Sequence, residues 1–204
     1  MEIITAEGAA DAELTMPPDG RAAPAFLLVL THGSGGRVAT PDVLAVRDAG
    51  LRLGAVTALV TQPYRVKGRR APGSAERQDA AWVAVIAALQ TGPGGLGQVP
   101  LIQGGRSNGA RVACRTAGAA GARGVIALAF PLHPPGHPER SRAAELAGAG
   151  TDVLVINGSR DPFGIPEAAG RTQVVVLDSE THALSRNPGA AGRAAESWLG
   201  ELLG

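Results

Sequence analysis

The chain of 204 residues is poor in cysteine, in aromatic side chains and in net charge. Its one cysteine, Cys114, excludes an intrachain disulfide and a metal site built on cysteine ligands. The formal net charge of +1 argues against a nucleic-acid binder, because contacts along a phosphate backbone require clustered cations. No apolar run approaches the ~20 residues of a membrane-spanning helix. We therefore expect neither a nucleic-acid partner nor a membrane partner.

The N-terminal residues carry acidic side chains and no long apolar stretch, so the sequence shows no secretory signal and predicts a cytoplasmic protein. Hydrophobic residues make up 45% of the chain and charged residues 18%, which are values typical of globular proteins. A chain of this length is expected to bury one core, so residues 1–204 are predicted to form a single domain. The sequence does not indicate the oligomeric state.

Apolar segments of strand length alternate with segments of helical length, a pattern that predicts an α/β fold with a mostly parallel central sheet and helices on both faces. The predicted strands are 26–30, 56–60, 99–102, 124–130, 152–156 and 173–177, with possible edge strands at 2–6 and 12–16. The predicted helices are 42–53, 77–90, 110–117, 141–149 and 189–203. Thr40 is expected to cap the first of these helices. A Pro-Pro-Asp-Gly turn is expected at 17–20.

Two further segments are interpreted as surface loops. Residues 92–97 match G-x-G-x-x-G, but they follow a helix and precede a strand, the reverse of a dinucleotide fingerprint. We therefore expect no nucleotide cofactor. Arg65, Lys67, Arg69 and Arg70 form the one cluster of basic residues, which is predicted to be a solvated loop. The alternative for this cluster is a contact with an anionic substrate or a phosphate.

A serine stands between a predicted strand and a predicted helix, in the sequence Gly105-Arg106-Ser107-Asn108-Gly109. This matches G-x-S-x-G, in which the nucleophilic serine occupies a strained turn and exposes its hydroxyl. Glycines are needed because such a sharp turn leaves little room for a Cβ on either side of the nucleophile. The pattern alone is weak in a chain with 29 glycines, and a glycine-rich loop is the plain alternative. The strand before it and the helix after it favour the nucleophile.

Ser107, Asp161 and His182 each follow the end of a predicted strand, where ligands collect in parallel sheets. Their order along the chain is serine, acid, histidine, which is the α/β-hydrolase order. We assign Ser107 as nucleophile, His182 as general base and later general acid, and Asp161 as the carboxylate that orients the imidazole. Asp178 and Glu180 are rival acids, but they lie too near His182 in sequence to fold back easily.

An oxyanion hole is expected from the backbone N–H groups of Asn108 and Ser34, the latter in the glycine-rich segment 32–36. The residues expected to line the substrate site are His32, Gly33, Gly35, Arg106 and His133. For His32 the alternative is a hydrogen bond that fixes the loop, and for His133 it is a structural role among prolines. The histidines match no known ligand spacing, so we expect no metal.

Four segments carry a more specific resemblance: HGSGG at 32–36, GGRSNGAR at 104–111, FPLHPPGHPER at 130–140 and NGSRDPFG at 157–164. Together they resemble the small α/β-hydrolase family that includes testis-expressed proteins, a subunit of the NSL histone-acetyltransferase complex and bacterial dienelactone-hydrolase-like members. The resemblance covers roughly residues 25–200. It implies an α/β-hydrolase fold without a large lid domain, with Ser107, Asp161 and His182 as the triad. Members often carry Met where this chain has Asn108, and dienelactone hydrolases proper use cysteine where this chain has Ser107.

These observations favour a cofactor-free serine hydrolase, an esterase-like enzyme that cleaves a small ester or thioester through an acyl-enzyme. A peptidase acting on short peptides is also open, because the same triad serves both bonds. The resemblance also includes complex subunits, so a non-catalytic scaffold that binds a protein partner is the alternative. Retention of all three triad residues favours the enzyme.

Overall fold

A sheet of eight strands organises the chain in the computed structural model, which describes residues 1–18, 23–92 and 96–204. The strands are β1 Glu2–Thr5, β2 Gly8–Thr15, β3 Phe26–Thr31, β4 Ala55–Thr61, β5 Leu101–Arg106, β6 Gly124–Leu128, β7 Asp152–Gly158 and β8 Thr172–Leu177. The helices are α1 Pro41–Arg52, α2 Pro63–Val66, α3 Ala75–Thr91, α4 Asn108–Ala120, α5 Ala143–Ala147 and α6 Pro188–Leu203. A short 3-10 helix spans Leu96–Gln98.

The strands lie in the order β1-β2-β4-β3-β5-β6-β7-β8. β1 and β2 form an antiparallel hairpin that pairs antiparallel with β4, and the remaining neighbours are parallel. In the middle of the sheet Val29 of β3 is flanked by Ala58 of β4 and Gln103 of β5. The carboxyl ends of β3 to β8 therefore meet at one edge, which we call the catalytic edge.

Helices cover both faces of the sheet, as alternating side chains along the strands require. Phe26, Leu28 and Leu30 of β3 pack in one cluster with side chains of α1 and α6. Leu27 and Val29 of the same strand pack on the opposite face with side chains of α3 and α4. Because β3 to β7 are apolar on both faces and almost wholly buried, they form the centre of the core. The predicted α/β architecture with helices on both faces is confirmed.

No lid domain covers the catalytic edge in the part of the chain that the structure describes. The connection from β6 to β7 contains only the five-residue helix α5 and irregular loops. The connection from β7 to β8 has no helix. Within the described ranges, no helix has both the length and the apolar character needed to cross a membrane.

Three local expectations were wrong in detail. β5 extends to Arg106, so the glycine pair before the nucleophile lies in the strand and not in the turn. The basic cluster includes a short helix, α2, which is too short to show an amphipathic pattern. Thr40 occupies the N-cap position of α1, but its hydroxyl makes no capping bond. The turn predicted at 17–20 and the loop predicted at 92–97 lie partly outside the described residues.

Candidate active site

Ser107 stands between the last residue of β5 and the first residue of α4. Its backbone has φ 53° and ψ −111°, a conformation that side-chain-bearing residues rarely adopt. Such strain persists only where the surrounding structure enforces it, and it is typical of a nucleophile at a strand-to-helix turn. The strained turn presents the hydroxyl at the catalytic edge.

Gly105 and Gly109 make this turn possible because backbone atoms occupy the space that a Cβ would need. A Cβ on Gly105 would lie 2.6 Å from the carbonyl O of Thr31, and one on Gly109 would lie 2.7 Å from the carbonyl O of His32. Both obstacles are main-chain atoms of the neighbouring strand β3 and the loop after it. The two glycines flanking the nucleophile are therefore required by close packing of β5 and α4 against β3.

The three predicted catalytic side chains form one hydrogen-bonded chain. Nε2 of His182 lies 2.9 Å from Oγ of Ser107, and Nδ1 of His182 lies 2.8 Å from Oδ2 of Asp161. A carboxylate can only accept, so the ring donates from Nδ1–H to Asp161 and its Nε2 accepts from the Ser107 hydroxyl. This is the arrangement in which a histidine can take a proton from a serine.

Asp161 is fixed in its position by the loop that follows β7. Its side chain is fully buried, and its Oδ1 accepts a hydrogen bond from the backbone N–H of Phe163 at 2.9 Å. The ring of Phe163 lies against the imidazole of His182, with 4.2 Å between the ring centroids. Asn157 at the end of β7 holds the loop by donating to the carbonyl groups of Phe130 and Gly164. Phe163 belongs to the segment NGSRDPFG, but the sequence alone predicts no role for its side chain.

The rival acids are engaged elsewhere. Asp178 is exposed, and its Oδ2 accepts a hydrogen bond from the hydroxyl of Ser179. Glu180 is buried, and its Oε1 accepts from the backbone N–H of Asn187 at the start of α6. Neither carboxylate bonds to His182 in the structure, so Asp161 is the acid that the fold places beside the imidazole.

The backbone around Ser107 can supply oxyanion donors. The first intrahelical hydrogen bond of α4 runs from the N–H of Arg111 to the carbonyl O of Ser107, so the N–H of Asn108 precedes the helical ladder. The loop after β3 lies against the nucleophile, because a Cβ on Gly33 would lie 3.3 Å from Cβ of Ser107. The N–H of Ser34 follows directly in this loop. Gly35, the next residue, is exposed.

His32 is buried at the start of residues 32–36, the proposed oxyanion loop. Its side chain is 1% exposed, its Nδ1 lies 2.8 Å from the carbonyl O of Gly33, and its Nε2 accepts from the N–H of Gln62. Burial lowers the pKa of His32, and the ring is therefore neutral near neutral pH. The expectation that His32 contacts substrate is corrected: it fixes the loop.

The guanidinium of Arg106 contacts two groups of the protein. Its Nη2 donates to the carbonyl O of His182 at 2.5 Å, and its Nε lies 3.2 Å from Oδ2 of Asp42 in α1. Asp42 is fully buried, and its carboxylate has an ion-pair distance to Arg106 but no well-aligned hydrogen bond among the described residues. Arg106, expected to bind substrate, instead connects α1 to the His182 loop.

The side chain of Asn108 is held by Gln78, a residue for which the sequence predicts no functional role. Nδ2 of Asn108 donates to Oε1 of Gln78 at 2.7 Å, and Nε2 of Gln78 donates to the carbonyl groups of Gly73 and Ser74 at the start of α3. The pair joins the nucleophile turn to α3. A single glutamine in a helix pattern carries no sequence signal for this contact.

The remaining candidate residues have other surroundings. His133 is partly buried; its N–H donates to the carbonyl O of Phe163, and its ring packs against Gly164. It thus supports the loop that carries Asp161. Cys114 is buried in α4, and burial raises the pKa of its thiol to about 12, so no thiolate forms there at neutral pH. Within the described residues, no three histidine, cysteine or acidic side chains are grouped so as to hold a metal ion.

A family model described as an alpha/beta hydrolase domain matches residues 24–186 of this chain. The match begins just before β3 and extends past His182, so it includes the serine turn, the loop after β7 and the histidine. No curated protein sequence matches the chain significantly.

Solved structures share the same architecture at low sequence identity. Est1E from Butyrivibrio proteoclasticus, described with bound ferulic acid, has a TM-score of 0.78 at 16% identity, and the alignment covers 100% of this chain and 99% of that one. A serine hydrolase without a lid from Xanthomonas campestris has a TM-score of 0.76 at 19% identity, covering 97% and 93%. A dienelactone hydrolase from Anabaena variabilis has a TM-score of 0.74 at 18% identity, covering 98% and 95%. These similarities show a shared fold.

Proposed function

Because the chain belongs to the family of alpha/beta hydrolase domains, we propose that it is a serine hydrolase that cleaves a small ester or thioester through an acyl-enzyme at Ser107. The observation that carries the proposal is the hydrogen-bonded chain from Ser107 through His182 to Asp161. A serine hydroxyl is a poor nucleophile at neutral pH. It becomes reactive when a base accepts its proton and an acidic side chain orients that base.

In the first half of the reaction, Oγ of Ser107 attacks the carbonyl carbon of the ester while Nε2 of His182 accepts the hydroxyl proton. Asp161 stabilises the imidazolium that forms and holds its Nδ1–H in place. The tetrahedral intermediate carries a negative oxygen, which the N–H groups of Asn108 and Ser34 bind. His182 then donates its proton to the leaving alcohol or thiol, and an acyl-serine remains.

In the second half, water replaces the alcohol as the nucleophile. His182 accepts a proton from this water, the hydroxide attacks the acyl carbon, and the same two N–H groups bind the second oxyanion. Collapse of this intermediate returns the proton to Ser107 and releases the carboxylic acid. No step requires a cofactor, because the chain supplies the nucleophile, the base and the oxyanion donors.

The narrower grouping with testis-expressed and NSL-subunit-like hydrolases is part of the proposal, and it rests on the segments FPLHPPGHPER and NGSRDPFG. The structure gives these segments a joint role that supports the grouping. Asn157 bonds to Phe130, and His133 bonds to Phe163, so the two loops support each other and Asp161. A cytoplasmic location is likewise proposed, and cell fractionation tests it.

A fluorophosphonate probe tests the proposed nucleophile. We expect the wild-type protein to bind one probe covalently at Ser107 and to hydrolyse short p-nitrophenyl esters. We expect Ser107→Ala to lose both properties while it retains the circular dichroism and unfolding temperature of a folded protein. Ser179→Ala is the matched control, because Ser179 also has a positive φ but lies at an exposed turn. Equal labelling of wild type and Ser107→Ala rejects the proposal, and so does a folded wild type that neither labels nor hydrolyses.

A further inference from the structure

A pocket of about 210 Å³ opens beside the oxyanion loop, between α2, the segment after it and α3. Its walls include Tyr64, Lys67, Arg69, Arg77 and Gln78. Three of these five side chains are cationic, and they include two members of the basic cluster in the sequence. None of the five takes part in the reaction steps above, so the pocket is not explained by the proposed chemistry.

Two residues that line the pocket form hydrogen bonds to the residues of the proposed oxyanion site. The hydroxyl of Tyr64 donates to the carbonyl O of Ser34 at 3.2 Å. On the other side, Oε1 of Gln78 accepts from Nδ2 of Asn108 at 2.7 Å. Ser34 and Asn108 are the two residues whose N–H groups are assigned to the oxyanion. Two hydrogen bonds therefore connect the lining of the pocket to the two residues of the proposed oxyanion site.

The charges of the pocket are unbalanced. Glu7 is the one carboxylate among the described residues that line the pocket, and it pairs with Arg77 at 2.8 Å. The hydrogen bond from Arg77 lowers the pKa of Glu7, and the positive charges of Lys67 and Arg69 lower it further, so all three cations act on one carboxylate. Lys67 donates to the backbone carbonyl of Glu7. Among the described residues no carboxylate lies within ion-pair distance of Arg69, so the pocket retains a surplus of positive charge.

We propose that this pocket binds the carboxylate of an anionic ester, so that Ser107 acts preferentially on substrates that carry a negative group beside the scissile bond. The inference rests on the proposed serine hydrolase and names its substrate class: hemiesters of short dicarboxylic acids, or esters of small hydroxy acids. Arg69, which has no ion-pair partner in the part of the chain that the structure describes, supplies the positive charge, and Lys67 adds to it. Arginine suits this task because its planar guanidinium can donate two parallel hydrogen bonds to a carboxylate.

Matched pairs of esters test the inference. In the acyl series, the p-nitrophenyl hemiester of glutaric acid is compared with p-nitrophenyl pentanoate. In the alcohol series, 4-acetoxybenzoate is compared with its methyl ester. We expect wild type to show a higher kcat/KM for the anionic member in one series. We expect Arg69→Gln and Lys67→Gln each to lower that preference by about 3- to 10-fold, a range typical of charges exposed to solvent. Raising the salt concentration is expected to lower the preference of the wild type for the anionic ester, because salt screens the charges of the pocket.

Arg70→Gln is the control, because Arg70 belongs to the same basic cluster but does not line the pocket. It is expected to leave the preference unchanged. The inference is overturned if wild type hydrolyses both members of each pair equally, or if Arg69→Gln and Arg70→Gln have equal effects. In both cases turnover of the neutral esters shows that the serine hydrolase itself stands. If neither ester nor fluorophosphonate reacts at Ser107, the proposed function fails, and this inference fails with it.

Discussion

The guanidinium of Arg106 holds the main chain of His182, because its Nη2 donates to the histidine carbonyl at 2.5 Å. The residue before the nucleophile thus binds the loop that carries the base. Asp42, fully buried at the start of α1, lies 3.2 Å from Nε on the other side of the guanidinium. The N-terminus of α1 and the positive charge of Arg106 together compensate this carboxylate.

Replacement of Arg106 is expected to slow the reaction without weakening substrate binding. In Arg106→Ala the His182 loop loses a charge-assisted hydrogen bond, so we expect kcat to fall about 10- to 100-fold while KM changes little. Arg47→Ala is the control, because the side chain of Arg47 pairs with the adjacent Asp48. Steady-state kinetics on a neutral p-nitrophenyl ester gives both constants. An increase in KM with unchanged kcat would mean that Arg106 binds substrate after all.

The substitution Arg106→Ala also leaves the carboxylate of Asp42 buried without the cation that lies beside it. Unfolding by urea is therefore expected to show that Arg106→Ala is less stable by about 3–5 kcal/mol. Asp42→Asn removes the charge, so the double variant Asp42→Asn/Arg106→Ala is expected to recover part of that loss. Additive effects in the double variant would indicate that the two side chains do not interact.

Asp161→Asn tests which acid orients the base. An amide at this position can donate to Nδ1 of His182 and so favours the wrong tautomer, and we expect kcat to fall about 10³- to 10⁴-fold. Asp178→Asn is expected to retain nearly full activity, because Asp178 is exposed and bonds to Ser179. Rates on one short ester, measured for both variants, decide between the two acids. The reverse order of activities would reassign the acid to Asp178.

Two glycines, Gly105 in β5 and Gly118 in α4, are expected to respond oppositely to replacement by alanine. In Gly105→Ala the new Cβ would lie 2.6 Å from the carbonyl O of Thr31, so the strands must separate, and we expect a loss of about 1–3 kcal/mol in stability. Gly118 is exposed in α4 with open space around it, and Gly118→Ala is expected to gain about 0.5–1 kcal/mol. Thermal unfolding of both variants checks the prediction. Equal stability of the two variants would contradict the packing argument.

Much of the site could be predicted because the proposed catalytic side chains lie just after the ends of strands. Ser107, Asp161 and His182 each lie within five residues of the end of a strand, and parallel strands bring such positions to one edge. The side-chain directions of Arg106 and His32 could not be predicted in this way. Both are polar residues beside the nucleophile, and whether they face substrate or protein depends on distant partners. Those partners are Asp42 for Arg106 and Gln62 for His32.

The order of the strands and the bounds of some elements could not be predicted from the sequence either. The alternation of apolar and amphipathic segments predicts the parallel sheet, but it does not determine which strands are neighbours in that sheet. β5 extends through Gly104 and Gly105, which the sequence pattern assigns to a turn, because glycine is needed there for close packing. The carbonyl group of Ile126 occupies the position of a Cβ on Gly104. Helix α2 has only four residues, too few to show a helical period.

His32 makes the stability of the protein depend on pH. Burial lowers the pKa of His32 below its usual value of 6.5. As the pH falls below 6.5, the unfolded chain binds a proton at this position before the folded protein does, so stability is complete above that pH and decreases below it. We expect urea unfolding to show a smaller free energy at pH 5.5 than at pH 7.5. His32→Gln, which retains an acceptor for the N–H of Gln62, is expected to lessen that difference.

His137→Gln is the control for the pH experiment, because His137 is exposed beside Glu139. It is expected to leave the difference between the two pH values almost unchanged. Tyr64 also lies near His32, but burial raises the pKa of its hydroxyl to about 12, so it does not change charge between the two pH values. If His32→Gln and His137→Gln change the pH dependence of the unfolding free energy equally, this dependence does not arise from His32.

Trapping the acyl-enzyme tests the central claim most directly. The wild-type protein is mixed with p-nitrophenyl acetate, quenched with acid during the first turnover, digested and analysed by mass spectrometry. We predict one acetyl group on the peptide that contains Ser107 in the wild type, and much slower formation of this group in His182→Gln, because attack by Ser107 needs His182 to accept the hydroxyl proton. An acetyl group on another side chain, or release of p-nitrophenol in amounts unaffected by Ser107→Ala with no acylated peptide, would contradict the account.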